Sequence, residues 1–417
     1  MRTAPFFTVV IPTRNRPELV PDAVRSVLQQ TFGDVEVVVS DNSDAANADR
    51  TVAALAFARD DARFRLVRAP DDLSMTAHWE WALGQARGRY RGVLTDRMAL
   101  RLFALEELRD ILLADEAAAV CYRAAPTIES VGWLRAKLAP GPVVATDRAT
   151  ADQIAAFSRG DLRKDNPRML NSFVRHDVLD RIAARYGSLF DGISPDYGFM
   201  FRFLSVEMRY LAVEVPLIVT QGEARSNGRA FKTGNVNAEK TDFLQKLSGQ
   251  DAILAHGPIP HDVDVLPNVI LREYDYVRSL GASADFPAID ARAFFRSCVG
   301  FARDLEREGT LSQAYIDALD RYRRDKLPGQ RAFARSRINV AAGARRRLAK
   351  RFKAGLRARL GAVVPALNAG RYTGARNMSE LLAADLEARR CGTASARRSA
   401  GSDGGLSGAA DSRPAPS

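Results

Sequence analysis

The chain of 417 residues predicts an α/β fold: a mostly parallel sheet flanked by helices, followed by a helical C-terminal region and a disordered tail. Three observations carry this. Short β-branched runs alternate with stretches of helical apolar spacing through the first half. From about Asn237 to Arg324 the spacing is mostly helical. Beyond about Cys391 the chain is Gly, Ser, Ala and Arg with almost no large apolar residue, too little to offset the entropy of ordering.

The elements follow in order. Phe7 to Ile11 is a short β-branched strand that runs into Pro12. Leu19 to Gln30 places Leu19, Val20, Ala23, Val24, Val27 and Leu28 on one helix face. Val35 to Val39 is a buried-strand run stopped by Asp41-Asn42-Ser43-Asp44. A helix over Arg50 to Arg59 and a strand over Phe64 to Val67 come next. Ser74 is a candidate N-cap for a helix over Met75 to Ala86. Tyr90 to Leu94 is a strand and Phe103 to Ala114 a helix. Strand and helix alternating at this pitch make βαβ units, whose ligands sit beyond the carboxyl ends of the strands. Between Cys121 and Gly222 the pattern is mixed. Strands are expected at Val143 to Ala145 and Leu211 to Val219, and helices at Ala149 to Ser158, Asp177 to Arg185 and Phe199 to Ser205. Phe294 to Glu306 and Leu311 to Tyr322 are helical.

Composition narrows the function classes. Apolar residues are 46% and charged residues 27%, enough for a sizeable core in an ordinary soluble protein. No apolar run reaches the roughly 18 residues that a spanning helix needs. Phe6 to Ile11 leads into Pro12-Thr13-Arg14-Asn15 with no small-residue cleavage site, so it is not read as a secretory signal. The three cysteines, Cys121, Cys298 and Cys391, are too far apart for a disulfide framework or a zinc ribbon. The four histidines form no HExxH. No GxGxxG follows the first strand, which disfavours a dinucleotide oxidoreductase.

The net charge is +11, and the eleven basic residues between Arg331 and Leu360, with no acid among them, account for it. A nucleic-acid binder would spread such an excess over its folded domain, so no specific nucleic acid is expected. Within this segment Leu348, Phe352, Leu356 and Leu360 recur every four residues, joined by Val363 and Val364, between Arg345, Arg346, Arg347, Lys350, Arg351, Lys353, Arg357 and Arg359. An apolar stripe beside a cationic face suits a helix lying on an anionic membrane through residues 345–364. A helix docked on its own domain is the alternative, and RNA binding is less favoured for want of interleaved aromatics. The divisions expected are 1–230, 231–330 (helical), 331–370 (basic, amphipathic) and 371–417 (largely disordered).

Three polar clusters stand at strand ends. They are Pro12-Thr13-Arg14-Asn15-Arg16 after the first strand, Asp41-Asn42-Ser43-Asp44 after the second, and Thr95-Asp96-Arg97 after Tyr90 to Leu94. With the helix ending Ser26-Val27-Leu28-Gln29-Gln30-Thr31, their order and spacing over roughly Phe6 to Leu112 resemble the N-terminal half of family 2 glycosyltransferases. The resemblance implies a GT-A, Rossmann-like fold in residues 1–230. It implies a hexosyltransferase-type enzyme that moves a sugar, with inversion, from a nucleotide-diphospho-sugar donor to an acceptor hydroxyl. A glycan or lipid-linked acceptor in cell-surface polysaccharide or glycolipid synthesis is expected. The place would be the cytoplasm, peripheral at the inner face of the cell membrane.

The same resemblance assigns donor binding to Pro12, Thr13, Arg14, Asn15, Arg16, Asp41, Asn42, Ser43, Thr95, Asp96 and Arg97. Asp41 would accept from the base or a ribose hydroxyl. Asp96 is the candidate ligand for Mn or Mg bridging to the diphosphate. Here the chain departs from the family: Thr95-Asp96-Arg97 stands where a DxD motif is expected, with one acid and a following cation. Arg97 is then an alternative source of positive charge, and a non-catalytic scaffold of this fold is the rival reading. Asp196, after Pro195 and before an apolar run, is the candidate general base in the first turn of a helix, with Asp191 as its neighbour and alternative. Three weaker signals are the cationic loop Arg225 to Lys232, the pair His78-Trp79 on a helix face, and the charged stretch Lys164 to Arg168.

Overall fold

The structure is a computed structural model and describes residues 4–130, 133–138, 141–163, 165–222, 246, 253, 255–259, 265–335 and 373–402. Its centre is strand β1 (Phe7–Thr13), buried at all seven positions, as is β2 (Val35–Asp41) beside it. Strands covered on both faces read as continuous apolar runs, and that is why they are visible in the sequence. β3 (Phe64–Arg68) flanks β2, and β4 (Tyr90–Val93) flanks β1 on the other side; all four run parallel. The connections are helices α1 (Val20–Leu28), α2 (Ala45–Ala54) and α3 (Met75–Gly84). α2 starts five residues before the expected Arg50, because Asp44 caps it, accepting from Asn47 N at 3.0 Å.

Beyond β4 the sheet changes character. After β5 (Met98–Leu100), α4 (Ala104–Asp115), β6 (Ala119–Ala124), β7 (Thr127–Ser130), β8 (Trp133–Ala136), β9 (Ala145–Ala149) and α5 (Thr150–Ser158), the short β10 (Ser172–Arg175) inserts antiparallel between β4 and β6. β4 and β10 pack closely enough that a Cβ on Gly92 would lie 2.7 Å from Ser172 O, so only glycine fits there. After α6 (His176–Tyr186) and α7 (Pro195–Val206), the long strand β11 (Arg209–Thr220) pairs with β6, β5 and β9, with register shifts around Pro216, which has no N–H to give. The order is β3-β2-β1-β4-β10-β6-β11-β5 with β9 on β11, and six of the nine strands run one way. The expected mostly parallel sheet flanked by helices is thus the observed one.

The two faces of β1 serve two cores. Val9 and Ile11 pack with α1 and α4, while Val10 packs with α3, α6 and α7. Helices α8 (Leu266–Val277), α9 (Ala291–Glu308) and α10 (Gln313–Lys326) form the expected helical part. Leu271, Tyr274, Phe294, Cys298 and Tyr322 join the same core as Phe199, Phe201 and Phe203 of α7.

Within the stretch expected to be a tail, β12 (Thr373–Ala375) pairs with β8, and α11 (Met378–Ser402) follows it. Met378, Leu381 and Leu382 are buried there against Leu102 and Val219. A few apolar residues suffice because an ion pair adds to them. Arg101 and Asp385, 3% and 6% exposed, meet in two bonds of 2.7 Å, and a third Arg101 nitrogen donates to Pro216 O at 2.9 Å. The basic stripe 345–364, the loop Arg225 to Lys232 and Lys164 lie outside the described residues. No helix among the described residues is long and apolar enough to cross a membrane.

Removing one partner of a buried pair strands the other charge. Asp385→Ala should therefore destabilise the protein by about 3–5 kcal/mol, read as a lower urea midpoint. Replacing Arg101 and Asp385 together by leucine should recover most of the loss.

Candidate active site

Strands β1, β2 and β4 are parallel, so their carboxyl ends share one edge. In register Thr13 stands opposite Asp41, and Asn42 N donates to Thr13 O at 3.0 Å. Asp41 is 3% exposed. Its Oδ1 accepts from Ser43 N at 2.9 Å, and its Oδ2 lies 3.6 Å from Arg68. Asn42 bonds Leu73 through both ends of its amide. Asn15 has a left-handed φ of 54° and laces the first loop to the second: its N–H donates to Ser43 Oγ at 2.8 Å, and its Oδ1 accepts from Asp44 N at 3.1 Å. Pro12 is buried within β1.

Asp96, 2% exposed, lies against the same strand end. Thr13 Oγ1 donates to its Oδ2 at 3.0 Å, and Arg16 Nη1 to its Oδ1 at 3.2 Å. Burial pushes its carboxyl above the usual range, with Arg16 and Thr13 opposing. Thr95 Oγ1 is buried with no hydrogen-bond partner. Arg97 presents its carbonyl to Gln221 N at 2.9 Å.

These residues do not fit a divalent ion. Both oxygens of Asp96 are engaged, one by a guanidinium, and the next residue is a second cation. Among the described residues no three of His, Cys, Asp and Glu come together as ligands.

Arg14 pairs with Asp72, and Lys246 reaches the same carboxyl at 2.6 Å; Arg14 first and Lys246 second hold Asp72 down at about 2. His78 is 4% exposed, and its Nε2 lies 2.7 Å from Ser40 Oγ inside β2. Burial holds His78 down at about 4, so it is neutral and serves the interior.

Asp196 sits in the first turn of α7. Its side chain is 19% exposed and lies 3.5 Å from Arg168 Nη1, which also donates to Tyr197 OH at 3.2 Å. Burial pushes the Asp196 carboxyl up, and the Arg168 charge opposes it. The chain at Arg168 ties this corner to the sheet: Met169, at a left-handed φ of 61°, accepts from Val93 N of β4 at 3.2 Å. The neighbouring acid Asp191 is committed elsewhere, 2.5 Å from the fully buried Arg202.

The structure thus gathers Pro12 to Arg16, Asp41 to Ser43 and Asp96 at one edge. Asp196 joins that edge through Arg168 and Met169 rather than by direct contact with the other acids. Arg68, Asp72 and Arg168 escaped the sequence reading as partners of the site. Arg68 and Asp72 close or follow β3, a strand end like the others, and that position was the available signal. For Arg168 only a charged stretch was visible.

Residues 8–161 match the description "Glycosyl transferase family 2", so this part of the chain is a domain of that family. No curated protein sequence matches the chain. Among solved structures it is similar to TarS 1–349 of S. aureus in complex with UDP-GlcNAc, at 11% identity and a TM-score of 0.42 over 82% of this chain and 92% of that one. It is also similar to the mannosyltransferase PcManGT of Pyrobaculum calidifontis in complex with GDP-Man and Mn2+, at 14% identity and a TM-score of 0.39 over 86% and 88%. At these scores neither likeness bears on this chain's donor or metal.

Proposed function

We propose that this chain, whose residues 8–161 are a family 2 glycosyl transferase domain, moves a sugar from a nucleotide-diphospho-sugar to an acceptor hydroxyl with inversion. One observation carries the reading: a raised but Arg168-paired carboxylate, Asp196, is tied to the sheet edge that bears Asp41, Thr13, Arg16 and Asp96. Asp196 takes the acceptor proton while the acceptor oxygen attacks the anomeric carbon. The bond to the diphosphate breaks with its electron pair on the phosphate oxygen, on the face opposite the attack. Burial makes Asp196 a better base than an exposed carboxylate, and the Arg168 charge opposes that rise by favouring the ionised form. Asp41 accepts from the base or a ribose hydroxyl. Arg16 and Arg97 meet the negative charge that grows on the leaving diphosphate, with Asp96 and Thr13 fixing the Arg16 guanidinium.

The acceptor is a glycan or lipid-linked sugar of a cell-surface polysaccharide or glycolipid. The cationic stripe 345–364 brings the enzyme to an anionic membrane face. Both flanks of the segment that contains it are held on the folded body, Arg335 by Leu311 O at 3.2 Å and Thr373 by pairing with Ala136. A scaffold that binds nucleotide without turnover is the reading favoured by the single acid in Thr95-Asp96-Arg97. Release of nucleoside diphosphate from a panel of uridine and guanosine diphosphate sugars separates the two.

Four outcomes are expected. Asp196→Asn should lower transfer about 100–10,000-fold and leave UDP or GDP affinity within about twofold; unchanged turnover refutes the assignment. In the wild type, kcat/KM should rise with pH through a value above that of an ordinary carboxylate, since the base must be ionised and its pKa is raised. Nucleotide affinity should be indifferent to EDTA or manganese, whereas Arg16→Ala should weaken it about tenfold or more; dependence on manganese would instead return Asp96 to metal binding. Vesicles with acidic lipid should co-sediment the protein at low salt and release it at high salt, and equal binding to neutral vesicles rejects the membrane role.

A further inference from the structure

We infer that Glu273 of α8, a helix outside the family 2 domain, is a positioning residue for Asp196, holding in place the turn from which α7 starts; this rests on the reading of Asp196 as the base. α7 has no cap of its own. Ser194 at its N-cap makes no side-chain hydrogen bond, and Pro195 has no N–H. The turn before it is held from another helix: Glu273 Oε1 accepts from Ile193 N and from Ser194 N, each at 2.9 Å. Gly192 has a φ of 82°, and a Cβ there would overlap both Glu273 carboxyl oxygens, so the carboxyl reaches the turn only because this residue is glycine.

Two more helices grip the same segment. Glu80 Oε2 of α3 accepts from Leu189 N at 2.9 Å and Phe190 N at 3.0 Å. Arg202 of α7 donates to Leu189 O at 3.3 Å and pairs with Asp191. Residues 189–194, which end two residues before Asp196, are therefore fixed from three sides. Glu273 is fully buried and its Oε2 has no hydrogen-bond partner. The charged and titratable groups facing it are Asp191 and Arg202, with Tyr276 on its own helix. Burial pushes its carboxyl up to about 8, so near neutrality it is mostly protonated and still accepts through Oε1. Glutamine keeps that acceptor and carries no charge.

The test is amide exchange across the full chain, with UDP and GDP binding and nucleoside diphosphate release measured alongside. Glu273→Ala should speed exchange of 187–198 on the order of tenfold or more and leave 7–100 unchanged. It should lower kcat about 10–100-fold with donor KM nearly constant. Glu273→Gln should stay close to wild type in each at pH 7. The wild-type melting temperature should also fall as pH rises from about 4.5 to about 8. Over that range the unfolded carboxyl ionises while the folded one keeps its proton. Glu273→Gln should lack that part of the fall. Unchanged exchange of 187–198 in Glu273→Ala, or a rise spread evenly over the chain, overturns the inference. If the alanine variant does not fold, the wild type decides: amides 193 and 194 must be as protected as the interior of α7, and free exchange there overturns it. Full turnover in Asp196→Asn, with 187–198 still loosened in Glu273→Ala, would sink the base and not the grip of Glu273 on the turn. The opposite pair of results would sink only the grip.

Discussion

Strand β1 is dry on both faces, and the rest of the site depends on that constraint. A strand packed between two cores has no room for an unpaired polar side chain along its length. Its polar side chains are either paired inside the sheet, as Thr8 is with Glu36 of β2 at 2.9 Å, or stand at the carboxyl end, where Thr13, Arg14, Asn15 and Arg16 follow one another. The same holds for β2 and its terminal Asp41. Parallel pairing brings these ends to one edge, so residues far apart in the chain share a site without a loop having to reach for them.

Charge at that edge is arranged in pairs. Arg14 meets Asp72, Arg16 meets Asp96, and Arg68 meets Asp41. Partly exposed pairs of this kind add little to stability. Their effect is to orient: each guanidinium is held at a set place by its carboxylate. The Arg16 pair is the driest of the three, with side chains 17% and 3% exposed, and its placement is the firmest.

Much of the fold was legible because buried parallel strands and amphipathic helices leave periodic traces. The runs at Phe7 to Ile11, Val35 to Val39 and Tyr90 to Leu94 coincide with β1, β2 and β4. The short strands were not legible. β5 has three residues and β10 four, too few for a period, and β10 exists because two neighbouring strands complete its bonding. Aspartates at strand ends could be read from position alone. Arg168 and Glu273 could not, since they act on Asp196 and on the turn before α7 from segments whose local pattern says only charged loop and helix. α11 was hidden by composition: most of it is small or charged, and the few residues that anchor it gain their weight from Arg101, far back in the chain.

That last contact closes a span of 284 residues. A chain emerging from the ribosome makes Arg101 long before Asp385. Until Asp385 is made, the ion pair that accompanies the burial of Arg101 cannot form. Closing so long a loop costs only slightly more than closing a shorter one, so the delay is one of time and not of free energy. The packing around Arg101 is therefore completed only after Asp385 has been made.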